Sequence, residues 1–237
     1  MKKILVIQTA FLGDVILTLP LVQSVKKGIP ESQIDFIAIP DTSDILKSHP
    51  DISELLIYDK HGKQKTFSAF VRFKNELRNR KYDVVLCPHR SLRSCLLAKL
   101  SRAGIRVGFD NSAMKSCFTD LLPWRFGVHE VDRNLSLVKP LGINIRSELP
   151  KIYPDSENVA EADRFLVGNR IRSPFAVVAP GTIWQTKRYP VEMMAEVVRK
   201  ISEKFVVVVI IGGKKDIGLA ESFEKINGRV ISAIGKF

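Results

Sequence analysis

Apolar residues in this chain fall into short unbroken runs separated by amphipathic stretches, and the alternation recurs from end to end. The first run, residues 4–8, has the length and β-branched character of a strand buried on both faces. A loop, Phe11-Leu12-Gly13-Asp14, leads into a helical pattern over 15–27, which Pro20 is expected to kink because it lacks an N–H. The pattern then predicts a strand at 34–39, a helix at 43–48 and a short strand at 54–58. It continues with an amphipathic helix at 67–80, a strand at 82–87, a helix at 91–102, a strand at 106–109 and a helix at 132–141. A second series starts near Pro174, with strands at 175–179, 205–211 and 229–234 and helices at 190–204 and 217–227.

Strands alternating with helices of these lengths imply an α/β protein built on open parallel sheets with helices on both faces. Right-handed crossovers make each sheet doubly wound, and ligands of such sheets sit at the carboxyl ends of the strands. The loops after Gln8 and Cys87 therefore fall on the ligand side. The spacing divides the chain into a first domain at 1–153, a connecting segment at 154–173 that reads as helical, and a second domain at 174–237. The second series ends after three strands and two helices, half of a doubly wound domain.

Composition narrows the field without choosing a function. The 237 residues are 45% hydrophobic and 26% charged, as expected of a folded globular protein. The net charge of +12 favours anionic partners. Its small clusters, at 60–65, 72–81 and Lys187-Arg188, are not the long basic run of a nucleic-acid-binding tail, so no nucleic-acid partner is expected. Three widely spaced cysteines, Cys87, Cys95 and Cys117, fit a reducing cytoplasmic compartment and form no metal pattern with the four histidines. Gln8 and Asp14 interrupt the N-terminal apolar stretch, which argues against a signal peptide, and no run is long enough to span a membrane.

Five segments have chemistry to offer. Gly13-Asp14 follows the first strand. Gly13 is able to take the positive φ of a sharp turn, and Asp14 reads either as a helix N-cap or as a general base. Pro180-Gly181-Thr182 through Lys187-Arg188-Tyr189-Pro190 runs from a strand into a helix. Its free N–H groups and two cations suit a diphosphate, though a solvated basic turn has the same look. Gly212-Gly213-Lys214-Lys215-Asp216 follows the next strand and reads as a turn or as a place of close nucleotide approach. His89-Arg90-Ser91-Leu92-Arg93 offers two guanidinium forks for a carboxylate or phosphate, and His129–Asn134 is a polar cluster in which Asp132 is a candidate helix cap. Neither a dinucleotide fingerprint nor a P-loop is present.

Residues 11–20, Phe11-Leu12-Gly13-Asp14-Val15-Ile16-Leu17-Thr18-Leu19-Pro20, resemble the N-terminal motif of bacterial ADP-heptose:lipopolysaccharide heptosyltransferases, glycosyltransferase family 9. Residues 179–190 are similar to that family's donor-diphosphate loop. The segments at 89–94 and 129–134 resemble its heptosyltransferase II branch. The resemblance implies a GT-B fold of two Rossmann-like domains, the first holding a lipid A–Kdo inner-core acceptor and the second an ADP-heptose donor. It implies transfer with inversion, no cofactor and no obligatory metal, at the inner face of the inner membrane. Residue by residue it gives Asp14 as general base and Thr182, Lys187 and Arg188 as donor-binding. Gly13, Arg90 and Arg93 follow as acceptor-binding. The family continues beyond the point matching Phe237, so the second domain is expected to be incomplete. Two other expectations stand beside this one: a GT-B transferase using another nucleotide sugar, and a non-catalytic fragment that binds acceptor alone.

Overall fold

The computed structural model describes residues 2–59, 62, 66–145, 147–172, 174–182, 184–204 and 207–236. The basic cluster at 60–65, apart from residue 62, lies outside the described residues, as do the expected strand start at 205–206 and Ile183 of the diphosphate loop. The chain divides into two compact units, Met1–Pro154 and Asp155–Phe237.

In the first unit the chain runs β1 (Lys3–Ile7), α1 (Leu12–Ile16), α2 (Leu19–Gly28), β2 (Gln33–Ala38), α3 (Pro40–Ser43), β3 (Glu54–Ile57) and α4 (Phe67–Asn79). It continues with β4 (Val84–Leu86), α5 (Leu92–Leu100), β5 (Ile105–Phe109), β6 (Asp120–Leu122) and α6 (Glu130–Leu135). Among the described residues these strands make one parallel sheet of order β3-β2-β1-β4-β5-β6. In its centre Ile4 stands opposite both Ile34 and Val84. The order reverses between β1 and β4, so the crevice for a ligand opens between their carboxyl ends.

Strand alternation sorts the apolar residues into two cores. Ile4, Val6, Ile34, Phe36, Val84, Leu86, Val107 and Phe109 pack with Leu21, Val22 and Val25 of α2. Leu5, Ile7, Ile37, Val85 and Cys87 face the other way, against Phe73 and Leu77 of α4 and Leu97 and Ala98 of α5. Ile4 to Ile7 are all fully buried, which explains a continuous apolar run in place of an alternating one. Each such side chain contributes about 1.5–3 kcal/mol through burial.

The local structure departs from the sequence reading at three places. The helix expected at 15–27 is two helices, and its start falls inside the expected loop, because Leu12, Gly13 and Asp14 are already helical. The edge strand β6 has no counterpart in the sequence reading. It is three residues long, half-exposed and opens on Asp120, so it carries little apolar signal. Of the helix expected at 132–141, the first part is α6 and residues 136–141 form a 3₁₀ turn, ended by Gly142 at φ +71°.

A polar cluster lies away from the crevice. Asp35, buried on β2, accepts from Tyr82 Oη at 2.7 Å and lies 3.5 Å from Arg80 Nη1. Arg80 also grips Glu54 through two bonds of 2.5 and 2.6 Å, and Glu76 at 2.8 Å. The guanidinium bonds hold the Glu54 carboxyl below its ordinary value. Their contribution is therefore complete at neutral pH and fades as pH falls through that depressed value. Tyr82→Phe should lower stability by about 1–3 kcal/mol, since a buried carboxylate loses a donor. The effect should appear as a lower urea midpoint at unchanged slope. An unchanged midpoint would show that Arg80 alone satisfies Asp35.

The second unit contains α7 (Ser156–Gly168), β7 (Ala176–Val178), α8 (Val191–Lys204), β8 (Val208–Ile210), α9 (Ala220–Glu224) and β9 (Val230–Ser232). Its strands form a parallel sheet of order β7-β8-β9, with Val177, Val209 and Ile231 in register. Val198 of α8 and Phe223 of α9 cover one face, on Val208, Ile210 and Val230. Phe165 and Leu166 of α7, with Ile171, cover the other, on Val209 and Ala233. The segment that the sequence marks as a connection is thus part of the second unit's packing.

Candidate functional site

At the carboxyl end of β1 the chain passes through Thr9 and Ala10 into α1. Phe11 holds the cap position in extended backbone, without a side-chain cap bond. Asp14 lies one turn in, so it is not the N-cap. Its half-buried carboxylate makes no hydrogen bond or ion pair among the described residues. Gly13 is helical and not at positive φ, contrary to the expectation of a strained turn. A Cβ there would meet no atom within 4 Å. The missing side chain therefore leaves open space on an exposed surface beside Asp14.

At the carboxyl end of β4, His89 is the centre of a hydroxyl cluster that the sequence reading did not assemble. Its Nδ1 lies 2.9 Å from Thr9 Oγ1, 2.9 Å from Ser94 Oγ and 3.3 Å from Ser91 Oγ. Ser91 also caps α5, accepting from Ser94 N at 3.3 Å. The cluster ties the loop after β1 to the loop after β4, across the reversal point. Ser-x-x-Ser beside His89 was visible in sequence, but Thr9 is 80 residues away. Cys87, just before it, donates to His89 O at 3.2 Å, and burial pushes its thiol well above the ordinary range. It is a core thiol and not a nucleophile.

Arg90 and Arg93 are both exposed. The Arg90 guanidinium lies 4.8 Å from the Trp124 ring centroid, toward β6. Arg133 approaches the same ring at 4.2 Å. Arg93 acts instead on Tyr58, at the end of β3, whose phenol burial pushes up and this charge pulls down. In the polar cluster at α6, His129 and not Asp132 caps the helix, accepting from Val131 N at 3.3 Å. Arg133 pairs with Glu130 and donates to Val128 O at 2.7 Å. Asn134, fully buried, reaches Leu17 O at 3.1 Å and Thr18 Oγ1 at 3.4 Å.

In the second unit the loop after β7 carries Thr182, Lys187 and Arg188. Thr182 Oγ1 accepts from Trp184 N at 3.3 Å, and Arg188 Nη2 donates to Thr182 O at 3.2 Å. Arg188 thereby closes the loop on itself. Lys187 stands on a 3₁₀ turn, exposed and without an ion pair among the described residues. Pro190 O accepts from Met194 N at 2.9 Å, so the loop runs directly into the first turn of α8. Asp216 joins this loop to the one after β8. Its Oδ2 accepts from Gly213 N at 3.0 Å, and a Cβ on Gly181 would fall 2.4 Å from its carboxylate. Any larger residue at 181 would have to push the Asp216 carboxylate off its present position, a constraint that nothing in the local sequence announces.

Among the described residues no cluster suits a metal ion, and no helix is long and apolar enough to cross a membrane. Two units of parallel strands, each with a polar loop set at its strands' carboxyl ends, define a Rossmann-like α/β protein of the GT-B class. The chain belongs to glycosyltransferase family 9 (heptosyltransferase), whose sequence profile matches residues 70–231. Lipopolysaccharide heptosyltransferase 3 of Escherichia coli is 31% identical over 141 residues, 56% of this chain and 41% of that protein. The crystal structure of the glycosyl transferase family 9 from Veillonella parvula DSM 2008 superposes at a TM-score of 0.89. It has 25% identity and covers 100% of this chain and 70% of that one. The E. coli heptosyltransferase WaaC with ADP gives 0.73 at 20% identity, covering 98% and 74%. The chain spans less than half the length of the E. coli heptosyltransferase 3 that it matches.

Proposed function

We propose that this chain serves the transfer of heptose from ADP-heptose to an inner-core lipopolysaccharide acceptor, with Asp14 as general base. The observation that carries the reading is the Asp14 carboxylate, without a hydrogen bond or ion pair among the described residues, at the reversal point of the first sheet and beside the open surface left by Gly13. In the transfer an acceptor hydroxyl oxygen attacks the anomeric carbon and loses its proton to Asp14. The bond from that carbon to the phosphate oxygen breaks, and ADP leaves with the electron pair. Attack opposite the leaving group inverts the anomeric centre.

Lys187 and Arg188 meet the charge that gathers on the departing diphosphate, and Thr182 offers it a hydroxyl. Fixed cations aimed at developing charge are among the strongest contributors to catalysis. Arg90 and Arg93, both exposed near the carboxyl end of β4, offer guanidinium groups to the anionic groups of a large acceptor. The net charge of +12 favours work at an anionic membrane surface, on the cytoplasmic side. ADP as the nucleotide is supported by the WaaC structure solved with it. A calorimetric titration of the chain with ADP-heptose, UDP-sugars and GDP-sugars tests the donor. Saturation by ADP-heptose alone is expected, and saturation by only a uridine or guanosine donor would reject it.

A further inference from the structure

The turn between α1 and α2 leaves a backbone problem inside the protein. Pro20, in the first turn of α2, has no N–H for Ile16 O. The N–H of Leu21, which a continuous helix would give to Leu17 O, goes to Thr18 O at 3.0 Å. Leu17 O is thus left without a helical partner, and Asn134 supplies one from 117 residues away, at 3.1 Å. The same amide nitrogen reaches the hydroxyl of Thr18.

That hydroxyl, fully buried, donates to Asp14 O at 2.8 Å and accepts from Gln8 Nε2 at 3.1 Å. Asn134 Oδ1 and Gln8 Oε1 are buried with no partner among the described residues. A leucine at 134 would fill the space without burying an unpaired oxygen, so the property used at this position is the donor.

We infer that Asn134 is a positioning residue for Asp14. By satisfying Leu17 O and Thr18 it holds the break between α1 and α2 in one geometry and so aims the helix that carries the carboxylate. A helix of five residues has no stability of its own and takes its direction from such anchors. The chain of bonds is short: Asn134 to Thr18, Thr18 to the Asp14 carbonyl. The functional meaning of the inference rests on the reading of Asp14 as base, whereas the positioning itself does not.

The test is carboxyl-carbon NMR of Asp14 in the 237-residue chain, together with amide hydrogen exchange. In Asn134→Leu the amides of Leu17 and Thr18 should exchange about five- to tenfold faster, as loss of one net hydrogen bond implies. The Asp14 carboxyl resonance should move. Thr18→Val should do the same, and Thr18→Ser, which keeps the hydroxyl, should restore the wild-type resonance. If Asn134→Leu does not fold, Asn134→Ala is measured with the same expectations. An unmoved Asp14 resonance in a folded Asn134 variant overturns the inference and leaves Pro20 alone as the cause of the break. Wild-type glycosyl transfer by Asp14→Asn would remove the base but leave that resonance shift standing, so the two failures are distinct.

Discussion

Asp14→Asn should lower heptosyl transfer by about two to four orders of magnitude, the usual contribution of a positioned general base. Asparagine has the shape of aspartate and keeps the first turn of α1, but it does not accept the acceptor's proton at neutral pH. Little stability should be lost. The carboxylate makes no hydrogen bond or ion pair among the described residues, and an acid in a first helical turn contributes only about 0.3–1 kcal/mol. Donor affinity should stay within twofold of wild type, as the donor-binding candidates lie in the other unit. The measurement is transfer to a Kdo-containing acceptor under saturating donor, with donor binding followed by calorimetry. Turnover at the wild-type rate removes Asp14 from the chemistry. A joint loss of donor affinity and turnover would instead point to a role in holding substrate.

The second large effect is expected at Lys187. Its alanine variant should lose about 10²–10³-fold in kcat, the range seen when one fixed group that stabilises transition-state charge is removed. The structural reason to expect a clean result is that Lys187 is exposed and makes no ion pair among the described residues. An exposed substitution of this kind changes stability by no more than about 0.5 kcal/mol, so the thermal midpoint should hold. Lys187→Arg keeps the charge but changes its shape, and should fall between the two. If alanine raises the donor KM with kcat intact, the lysine binds donor and leaving diphosphate equally and does not act on the transition state. Arg188 is a poorer target, since its guanidinium also closes the loop through Thr182 O.

Much of the first unit was legible because its central strands are buried on both faces. Residues 4–7 are all apolar, and 34–38 are apolar but for the bonded Asp35, so each run stands out from the amphipathic stretches around it. Where burial is partial the signal fades, and β6 with its half-exposed Asp120 is the example. Pro20 announced a disturbance in the helix, but its position did not give the geometry. The break falls at Leu17 and Thr18 because Gln8 and Asn134 meet there, and no local pattern records a partner 117 residues away. The candidate site divides in the same way. Asp14, Lys187 and Arg188 were visible through their motifs. The hydroxyl cluster around His89 depends on Thr9 crossing the sheet, and the fit of Gly181 to Asp216 depends on two loops meeting, so both needed coordinates.

The pairing of β1 with β4 bears on how the protein is made. β1 is the third residue onward, and its second neighbour in the sheet lies 80 residues later, where Ile4 meets Val84. At a synthesis rate of about 5–20 residues per second, that neighbour leaves the ribosome roughly 4–16 s after β1 does. Once β2 (Gln33–Ala38) has been made, one edge of β1 has a partner while the other still waits for β4. The crevice beside Asp14 therefore takes shape only after residue 86 has been made.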